Sequence, residues 1–274
     1  MIIASCRKDF YSDKFLSAGM QYRDYSASSG PRDLALPELQ AKVRDRHVCI
    51  FVHGYSNPLA DVIGAYAVLQ NSMKSFDIIG PANYGLVIGF TWPGWWGPQF
   101  PIARRSANYA GRYLLQLISA LRSDAHSLDI QTHSLGARVA LGALRNPKKA
   151  FVDNLLLSAP AVDNTSFQPG REFHDSLDAC NRCFVYHSYR DDVLRCWFPA
   201  GDFINSACPA LGLNGPRRPA TALKQHSNLY VIDCSACVPE HSYYRKATPY
   251  YAHWTRVLSG APLPRTETLH PSSS

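Results

Sequence analysis

The sequence predicts an α/β fold in which a mostly parallel central sheet has helices on both of its faces. From Arg46 onward, short apolar runs of strand length alternate with longer segments whose apolar residues recur every three or four positions. This alternation is typical of successive βαβ units. The chain has 274 residues, of which 46% are hydrophobic and 18% are charged, so it is long enough for one large domain and its composition does not favour disorder.

The strand-like and helix-like segments follow one another regularly, and local signals mark several of their ends. Pro58 suits the first turn of a helix, and the pair Asn146-Pro147 ends another. The predicted strands are 47–55, 84–92, 128–133, 152–160, 184–192 and 228–234. The predicted helices are 59–73, 101–123, 135–144 and 249–260.

The two ends of the chain differ from this middle part. Residues 1–45 contain only short possible strands, around 2–4 and 20–25, and residues 263–274 are rich in proline and serine. We therefore expect one domain over residues 1–262, with strands and loops in its N-terminal part, followed by a disordered tail at 263–274.

Charge and hydropathy argue against two classes of partner. The formal net charge is +7, but the basic residues are scattered, so we expect no nucleic-acid partner. No apolar run approaches the roughly 18 residues that a membrane-spanning helix needs. Residues 1–15 lack the order of charged and apolar regions that a secretory signal has. We expect a cytoplasmic protein.

The eight cysteines include two CxxC pairs, Cys180/Cys183 and Cys234/Cys237. Four such thiolates bind zinc when the two pairs converge. However, Cys183 opens one predicted strand and Cys234 closes another, so a parallel arrangement separates the pairs to opposite edges of the sheet. We expect buried thiols, no metal and no organic cofactor, and a zinc-organised protein is the alternative.

A serine lies between a predicted strand and a predicted helix, in the stretch Thr132-His133-Ser134-Leu135-Gly136. One interpretation is a serine that caps the helix. The other is the nucleophile elbow, G-x-S-x-G, in which a tight turn lifts the hydroxyl above the sheet. Gly136 fits the crowded position two residues after the serine, whereas Thr132, two residues before it, departs from the pattern because it is β-branched and larger than glycine.

Acyl transfer also needs N–H donors where the carbonyl oxygen becomes negative. The strand that ends at Val52 is followed by His53 and Gly54, a turn that can direct N–H groups toward Ser134. We assign the donors to the backbone of Tyr55 and Leu135. An ordinary turn at the end of a strand is the alternative.

A serine hydroxyl becomes a good nucleophile when a histidine accepts its proton and a carboxylate fixes the tautomer of that histidine. His241 lies in the loop after the predicted strand 228–234, at the correct edge of the sheet. His133 lies inside the elbow, where we expect its side chain to turn away and serve a structural role. His253 falls within a helical pattern and is expected to pack or to face solvent.

The carboxylate is expected in a loop after an intervening strand, and the stretch YHSYRDDVL offers Asp191 and Asp192. A solvated turn or a helix cap is the alternative for both. The order serine, aspartate, histidine along the chain is that of α/β-hydrolases.

Several short motifs together resemble the α/β-hydrolase superfamily, and in particular its bacterial branch described as a hydrolase-like domain of unknown function. The resemblance covers roughly residues 48–259 and rests on FVHGYSN, IGFTWPG, THSLGARVAL, LLLSAPAVD, SYRDDVL, LGLNGP and HSYY. It implies a serine hydrolase with a Ser-Asp-His triad. In that branch the acid stands three residues after a serine and three before a leucine, which Ser188, Asp191 and Leu194 match, so Asp191 is preferred over Asp192.

The substrate pocket is expected at the same edge of the sheet. Its candidate residues are His53, Ser56, Trp95 and Trp96, although the tryptophans are equally consistent with a core under a long loop. The insertion 196–216 lies beside them. Apolar walls with few charges favour a small-molecule carboxylic ester with an uncharged acyl group, cleaved in the manner of a carboxylesterase or lipase through an acyl-enzyme. The alternatives are an acyltransferase, thioesterase or amidase with the same triad, and a non-catalytic protein that binds a ligand or partner.

Overall fold

A single twisted sheet organises the residues that the computed structural model describes, which are 1–15, 19–26, 30–55, 58–80, 82–94, 99–146, 151–202 and 208–271. The strands in this part of the chain are β1 (Ile2–Ser5), β2 (Gln21–Asp24), β3 (Arg32–Leu34), β4 (His47–Val52), β5 (Tyr84–Thr91), β6 (Ser127–His133), β7 (Val152–Ser158), β8 (Cys180–His187), β9 (Leu229–Asp233) and β10 (Thr266–Thr268). Their order in the sheet is β10-β9-β8-β7-β6-β4-β5-β1-β2-β3.

Every neighbouring pair from β10 to β1 is parallel, and antiparallel pairing joins β1 to β2 and β2 to β3. The prediction of a mostly parallel sheet is therefore confirmed. Each of the six strands predicted from residue 46 onward corresponds to one of the strands β4 to β9.

The helices connect these strands and cover the sheet. They are α1 (Leu36–Val43), α2 (Leu59–Ser75), α3 (Phe100–Leu121), α4 (Gly136–Ala143), α5 (Asp192–Asp202), α6 (Leu211–Asn214), α7 (Pro219–Gln225) and α8 (Thr248–Leu258), with short 3-10 helices at Asp175–Ala179 and Tyr243–Arg245. α3 packs against α1, α4 and α5, while α2 packs against Tyr243–Arg245 and is tied to α8 by a hydrogen bond from Thr255 Oγ1 to Phe76 O.

β4 lies between β5 and β6, so the next two strands along the chain lie on opposite sides of it and the strand order reverses there. The chain passes from β4 through α2 to one neighbour, and then from β5 through α3 to the other. Because crossovers between parallel strands are right-handed, α2 and α3 cover opposite faces. Ligands of open α/β sheets bind at the carboxyl ends of strands at such a reversal. The ends of β4 and β6 are therefore where a site is expected.

The tail prediction is wrong for the residues that the structure describes. Thr266–Thr268 forms β10, which extends the sheet by pairing in parallel with β9, and Leu269 is buried. Arg256 on α8 also holds Glu267 through two hydrogen bonds, of 2.6 and 2.9 Å. Residues 228–234 are consequently not the last strand of the chain.

At the N-terminal end, the two predicted short strands correspond to β1 and β2, whereas β3 and α1 were not predicted. The two CxxC pairs stand at opposite ends of parallel strands. Cys183 pairs in register with Leu229 at the start of β9, and Cys234 follows the end of that strand. The described cysteines of both pairs are buried free thiols.

Candidate active site

Ser134 occupies the tight turn between β6 and α4, where its backbone has a φ of +54°. Left-handed geometry is strained for a residue other than glycine and is maintained only when its surroundings enforce it. Here the Ser134 N–H donates to Ser158 O at 3.0 Å, and Ala161 N–H donates to Ser134 O at 3.1 Å. The next strand of the sheet therefore holds the turn in its strained form.

The interpretation of Ser134 as a helix cap does not agree with the geometry. Leu135 occupies the N-cap position of α4, and no side chain forms a capping hydrogen bond there. The Ser134 side chain instead lines a cavity at the carboxyl ends of β4 and β6. Its hydroxyl is thus available to a ligand.

Two glycines allow the turn to pack closely against the end of β4. A Cβ atom on Gly136 would lie 2.4 Å from Val52 O, and one on Gly54 would lie 2.8 Å from Ser134 Cβ. Thr132 is accommodated in β6, where its side chain is buried and its Oγ1 donates to Leu156 O of the neighbouring strand β7 at 3.4 Å. Of the two pattern positions on either side of the serine, only the one two residues after it, Gly136, therefore requires glycine in this chain.

His241 lies beside this turn and is held by a buried carboxylate. Its Nδ1 is 2.6 Å from Asp191 Oδ2, and the Asp191 side chain is only 1% exposed. A carboxylate at this position accepts a hydrogen bond from Nδ1–H, so the neutral imidazole keeps its lone pair on Nε2. Asp192, in contrast, is 82% exposed and forms an i,i+3 ion pair with Arg195. The geometry therefore associates Asp191 with His241.

The spacing around Asp191 has a structural explanation. Asp191 Oδ1 accepts the N–H of Leu194 at 2.9 Å, which caps the first turn of α5 and leaves Oδ2 for His241. Asp191 N–H donates to Ser188 O at 3.2 Å, and Ser188 Oγ donates to Val238 O at 2.8 Å in the loop that leads to His241. Ser188 thereby ties the loop of the acid to the loop of the histidine.

His133 does not turn away from the site, contrary to the prediction. Its Nε2–H donates to the backbone oxygen of His241 at 2.9 Å, and the two ring centroids are 4.6 Å apart. Burial, the neighbouring His241 and then Arg245 lower the pKa of His133 to about 3. His133 is therefore an uncharged support for the loop of His241. The expected structural role holds, but the residue performs it inside the site.

His53 lines the cavity, but both of its ring nitrogens are engaged with the backbone. Nδ1–H donates to Gly54 O at 2.8 Å, and Nε2 accepts the N–H of Trp92 at 3.1 Å. Burial, followed by the charge of Arg7, lowers the pKa of this imidazole to about 3. Neutral His53 thus fixes the turn that precedes Tyr55. Its ring has no free nitrogen for a substrate.

The two proposed N–H donors follow β4 and β6, neighbouring strands whose carboxyl ends border the cavity. Tyr55 lines the cavity together with Ser134, and Leu135 lies at the start of α4, where the helix dipole favours negative charge. In the described part of the chain, the Leu135 N–H has no protein acceptor. Both positions are consistent with stabilising an oxyanion.

The cavity has a volume of about 220 Å³. Its described lining residues are Val52, His53, Gly54, Tyr55, Ala65, Tyr66, Leu69, Gln131, His133, Ser134, His241, Ser242, Tyr244, Arg245 and Tyr250. Ser134 and His241 share this wall without a direct hydrogen bond between their side chains, a contact that in unliganded enzymes often tightens only when substrate binds. The predicted pocket residues Ser56, Trp95 and Trp96 lie outside the described residues.

The described residues contain no group of three or more histidine, cysteine or acidic side chains arranged to hold a metal ion. None of their helices has the length and apolar character needed to cross a bilayer.

Comparison with known proteins yields one family. The sequence profile of the family described as "Alpha/beta hydrolase of unknown function (DUF900)" matches residues 34–198, which is more than half of the chain. The match includes Ser134 and Asp191, whereas His241 lies beyond its end. No curated protein matches the chain significantly.

Similar solved structures share low sequence identity with the chain. A protein described as a hydrolase of the alpha/beta superfamily from Xanthomonas campestris pv. campestris is 13% identical, with a TM-score of 0.46, over 79% of this chain and 100% of that one. Esterase PE8 is 15% identical, with a TM-score of 0.48, over 80% and 94% of the two chains. Esterase 2 of Thermogutta terrifontis, phosphoramylated by tabun, is 13% identical, with a TM-score of 0.42, over 88% and 86%.

Proposed function

Because this chain belongs to the family of alpha/beta hydrolases of unknown function, we propose that it is a serine hydrolase that cleaves carboxylic esters through Ser134, His241 and Asp191. One observation carries the proposal. A serine in strained geometry at a strand-to-helix turn shares a cavity with an imidazole whose Nδ1 is 2.6 Å from a buried carboxylate. This combination supports an activated nucleophile better than it supports a binding protein.

In the proposed reaction, His241 Nε2 accepts the proton of Ser134 Oγ while that oxygen attacks the ester carbonyl. Asp191 stabilises the imidazolium that forms but does not take its proton. The tetrahedral intermediate then expels the alcohol, which receives the proton from Nε2. Water attacks the resulting acyl-enzyme with help from the same imidazole, releasing the acid and restoring Ser134.

The negative oxygen of each tetrahedral intermediate is stabilised by the N–H groups of Tyr55 and Leu135 in this proposal. Removing one such donor from an enzyme costs about 3–4 kcal/mol of transition-state stabilisation. The N-terminus of α4 adds a favourable dipole beside Leu135. Neutral His53 keeps the first donor in place because it bonds Gly54 O within the turn and the N–H of Trp92 just after the neighbouring strand β5.

Ser134→Ala provides the direct test of hydrolysis. We expect the wild-type protein to hydrolyse small neutral esters and the variant to lose at least about 10³-fold in kcat, since the nucleophile is absent. Ser166→Ala, at a buried serine away from the cavity, is a matched control and is expected to retain activity. Folded wild-type protein that hydrolyses none of a broad panel of esters would contradict the proposal and favour a non-catalytic binding role.

A further inference from the structure

The cavity beside Ser134 is lined by few charged side chains. Among the described residues that line it, none is aspartate, glutamate or lysine, and Arg245 is the one arginine. The supporting imidazoles of His53 and His133 are neutral at physiological pH, because burial lowers the pKa of each to about 3. Apart from the candidate catalytic histidine, the described wall therefore carries a single charged group, and that group is cationic.

Arg245 has no acidic partner among the described residues. The ion pairs in this part of the chain engage other arginines, such as Arg138 with Glu172 and Arg256 with Glu267, and none of them includes Arg245. A half-buried charge is normally paired, because removing it from water is costly. An arginine that lines a cavity and has no acidic partner among the described residues is thus suited to an anionic ligand.

The backbone that carries this guanidinium is held in place from two sides. Arg245 ends the 3-10 helix Tyr243–Arg245, four residues after His241. Its carbonyl oxygen accepts hydrogen bonds from Ser72 Oγ at 3.1 Å and from Tyr251 OH at 2.9 Å. Because Ser72 lies on α2 and Tyr251 on α8, the position of Arg245 relative to Ser134 is set by packed helices rather than by the loop alone.

We propose that Arg245 selects ester substrates that carry a carboxylate on the part entering this cavity, for which short half-esters of dicarboxylic acids are the simplest case. This inference rests on the proposed function, whose substrate class it narrows. Guanidinium binds carboxylate through two parallel hydrogen bonds, and one cation balances one carboxylate, whereas a phosphate monoester would keep excess negative charge. The volume of about 220 Å³ is below the roughly 300–1,000 Å³ of sites for drug-sized ligands, which favours a short chain.

Two pairs of esters of equal length test the charge preference. Monomethyl glutarate and methyl valerate differ only in a carboxylate on the acyl side, and 4-acetoxybutyrate and butyl acetate differ only in a carboxylate on the alcohol side. We expect kcat/KM of wild type to favour the charged member of at least one pair by about 10- to 100-fold, the range for a hydrogen-bonded charged group. Arg245→Gln is expected to abolish this preference, which is read as the ratio of kcat/KM between the charged and the neutral member of each pair.

Lys246→Gln is the matched control, because it removes the same charge from the next residue, which is exposed and lines a different cavity. It is expected to keep the preference. Equal kcat/KM for charged and neutral esters in wild type, or a preference that survives in Arg245→Gln, would overturn the inference.

Binding separates this inference from the proposed function. The charged esters are titrated calorimetrically into Ser134→Ala, which cannot turn them over, and into Ser134→Ala/Arg245→Gln. Binding that requires Arg245 supports the carboxylate site even if wild type hydrolyses no ester, an outcome that would refute only the proposed chemistry. Hydrolysis of neutral esters, with no binding of either charged ester to Ser134→Ala, would refute the carboxylate site and leave the hydrolase proposal intact.

Discussion

Replacing Asp191 by asparagine is expected to leave His241 in a tautomer that cannot accept the serine proton. In the native protein the two carboxylate oxygens have different partners, with Oδ1 accepting the Leu194 N–H and Oδ2 facing His241 Nδ1 at 2.6 Å. Asparagine can keep the first contact only by placing its amide oxygen there. Its NH₂ group then faces Nδ1, which must become an acceptor, so the proton moves to Nε2.

The size of the effect follows from this change of tautomer. An aspartate-to-asparagine change with intact geometry lowers kcat by about 10⁴-fold in serine proteases, or roughly 5.5 kcal/mol of activation free energy. The native fold is expected to remain, because the cap of α5 is kept and Asp191 is replaced by a side chain of equal size. We therefore expect a loss of about 10³- to 10⁴-fold in kcat for Asp191→Asn.

The assay measures kcat and kcat/KM for a neutral ester in wild type, Asp191→Asn and Asp192→Asn, with thermal unfolding as the check on folding. Asp192→Asn is the matched control, since that side chain is exposed and pairs only with Arg195 among its described neighbours. We expect it to stay within about threefold of wild type. A folded Asp191→Asn protein with nearly wild-type kcat would refute the assigned role of Asp191.

Three further predictions concern packing and protonation. Gly136→Ala places a Cβ 2.4 Å from a backbone oxygen and is expected to lower the unfolding free energy by about 1–3 kcal/mol. Gly142→Ala, in the same helix, is the control, because an added Cβ there meets no atom within 4 Å. It is expected to be neutral or stabilising in thermal melts. Burial lowers the pKa of His253 to about 4, so only the unfolded state binds its proton as the pH falls from about 6.5, and stability is lost on acidification. In urea titrations between pH 6 and 4.5, His253→Asn is expected to reduce the slope of the unfolding free energy against pH by up to about 1.4 kcal/mol per pH unit. An unchanged slope would contradict this. His133→Gln is expected to lower kcat because it removes the support of the His241 loop. The midpoint of the acid limb of the profile of kcat against pH is expected to stay unchanged, because His133 is already neutral. A shifted midpoint would show that His133 titrates with the site.

The positions of the parallel strands along the chain were predictable because their apolar runs and the intervening helical periodicities are local properties of the sequence. The edge strand β10 was not, since residues 263–274 have a composition typical of a disordered tail. The pairing of β10 with β9 and the two hydrogen bonds from Arg256 to Glu267 are tertiary contacts. Local composition does not predict such contacts.

Some residues of the candidate site were predictable from the sequence, and others depend on tertiary contacts. Ser134 and His241 could be chosen because each follows a predicted strand at one edge of the sheet, whereas Asp191 was preferred over Asp192 through the family resemblance. The contact of His133 with His241 was missed, because it depends on how the loop after β9 folds back over the elbow. Arg245 was also missed as a pocket residue. A lone arginine in a loop becomes informative only when the structure reveals which carboxylates lie near it.

Covalent labelling of Ser134 tests the central claim most directly. Wild type, Ser134→Ala and Asp191→Asn are treated with a fluorophosphonate probe, and the modified peptide is identified by mass spectrometry. We predict one label on Ser134 in wild type, none on Ser134→Ala and much slower labelling of Asp191→Asn. A folded wild-type protein that remains unlabelled, or that is labelled equally after Ser134 is removed, would contradict the assignment of Ser134 as an activated nucleophile.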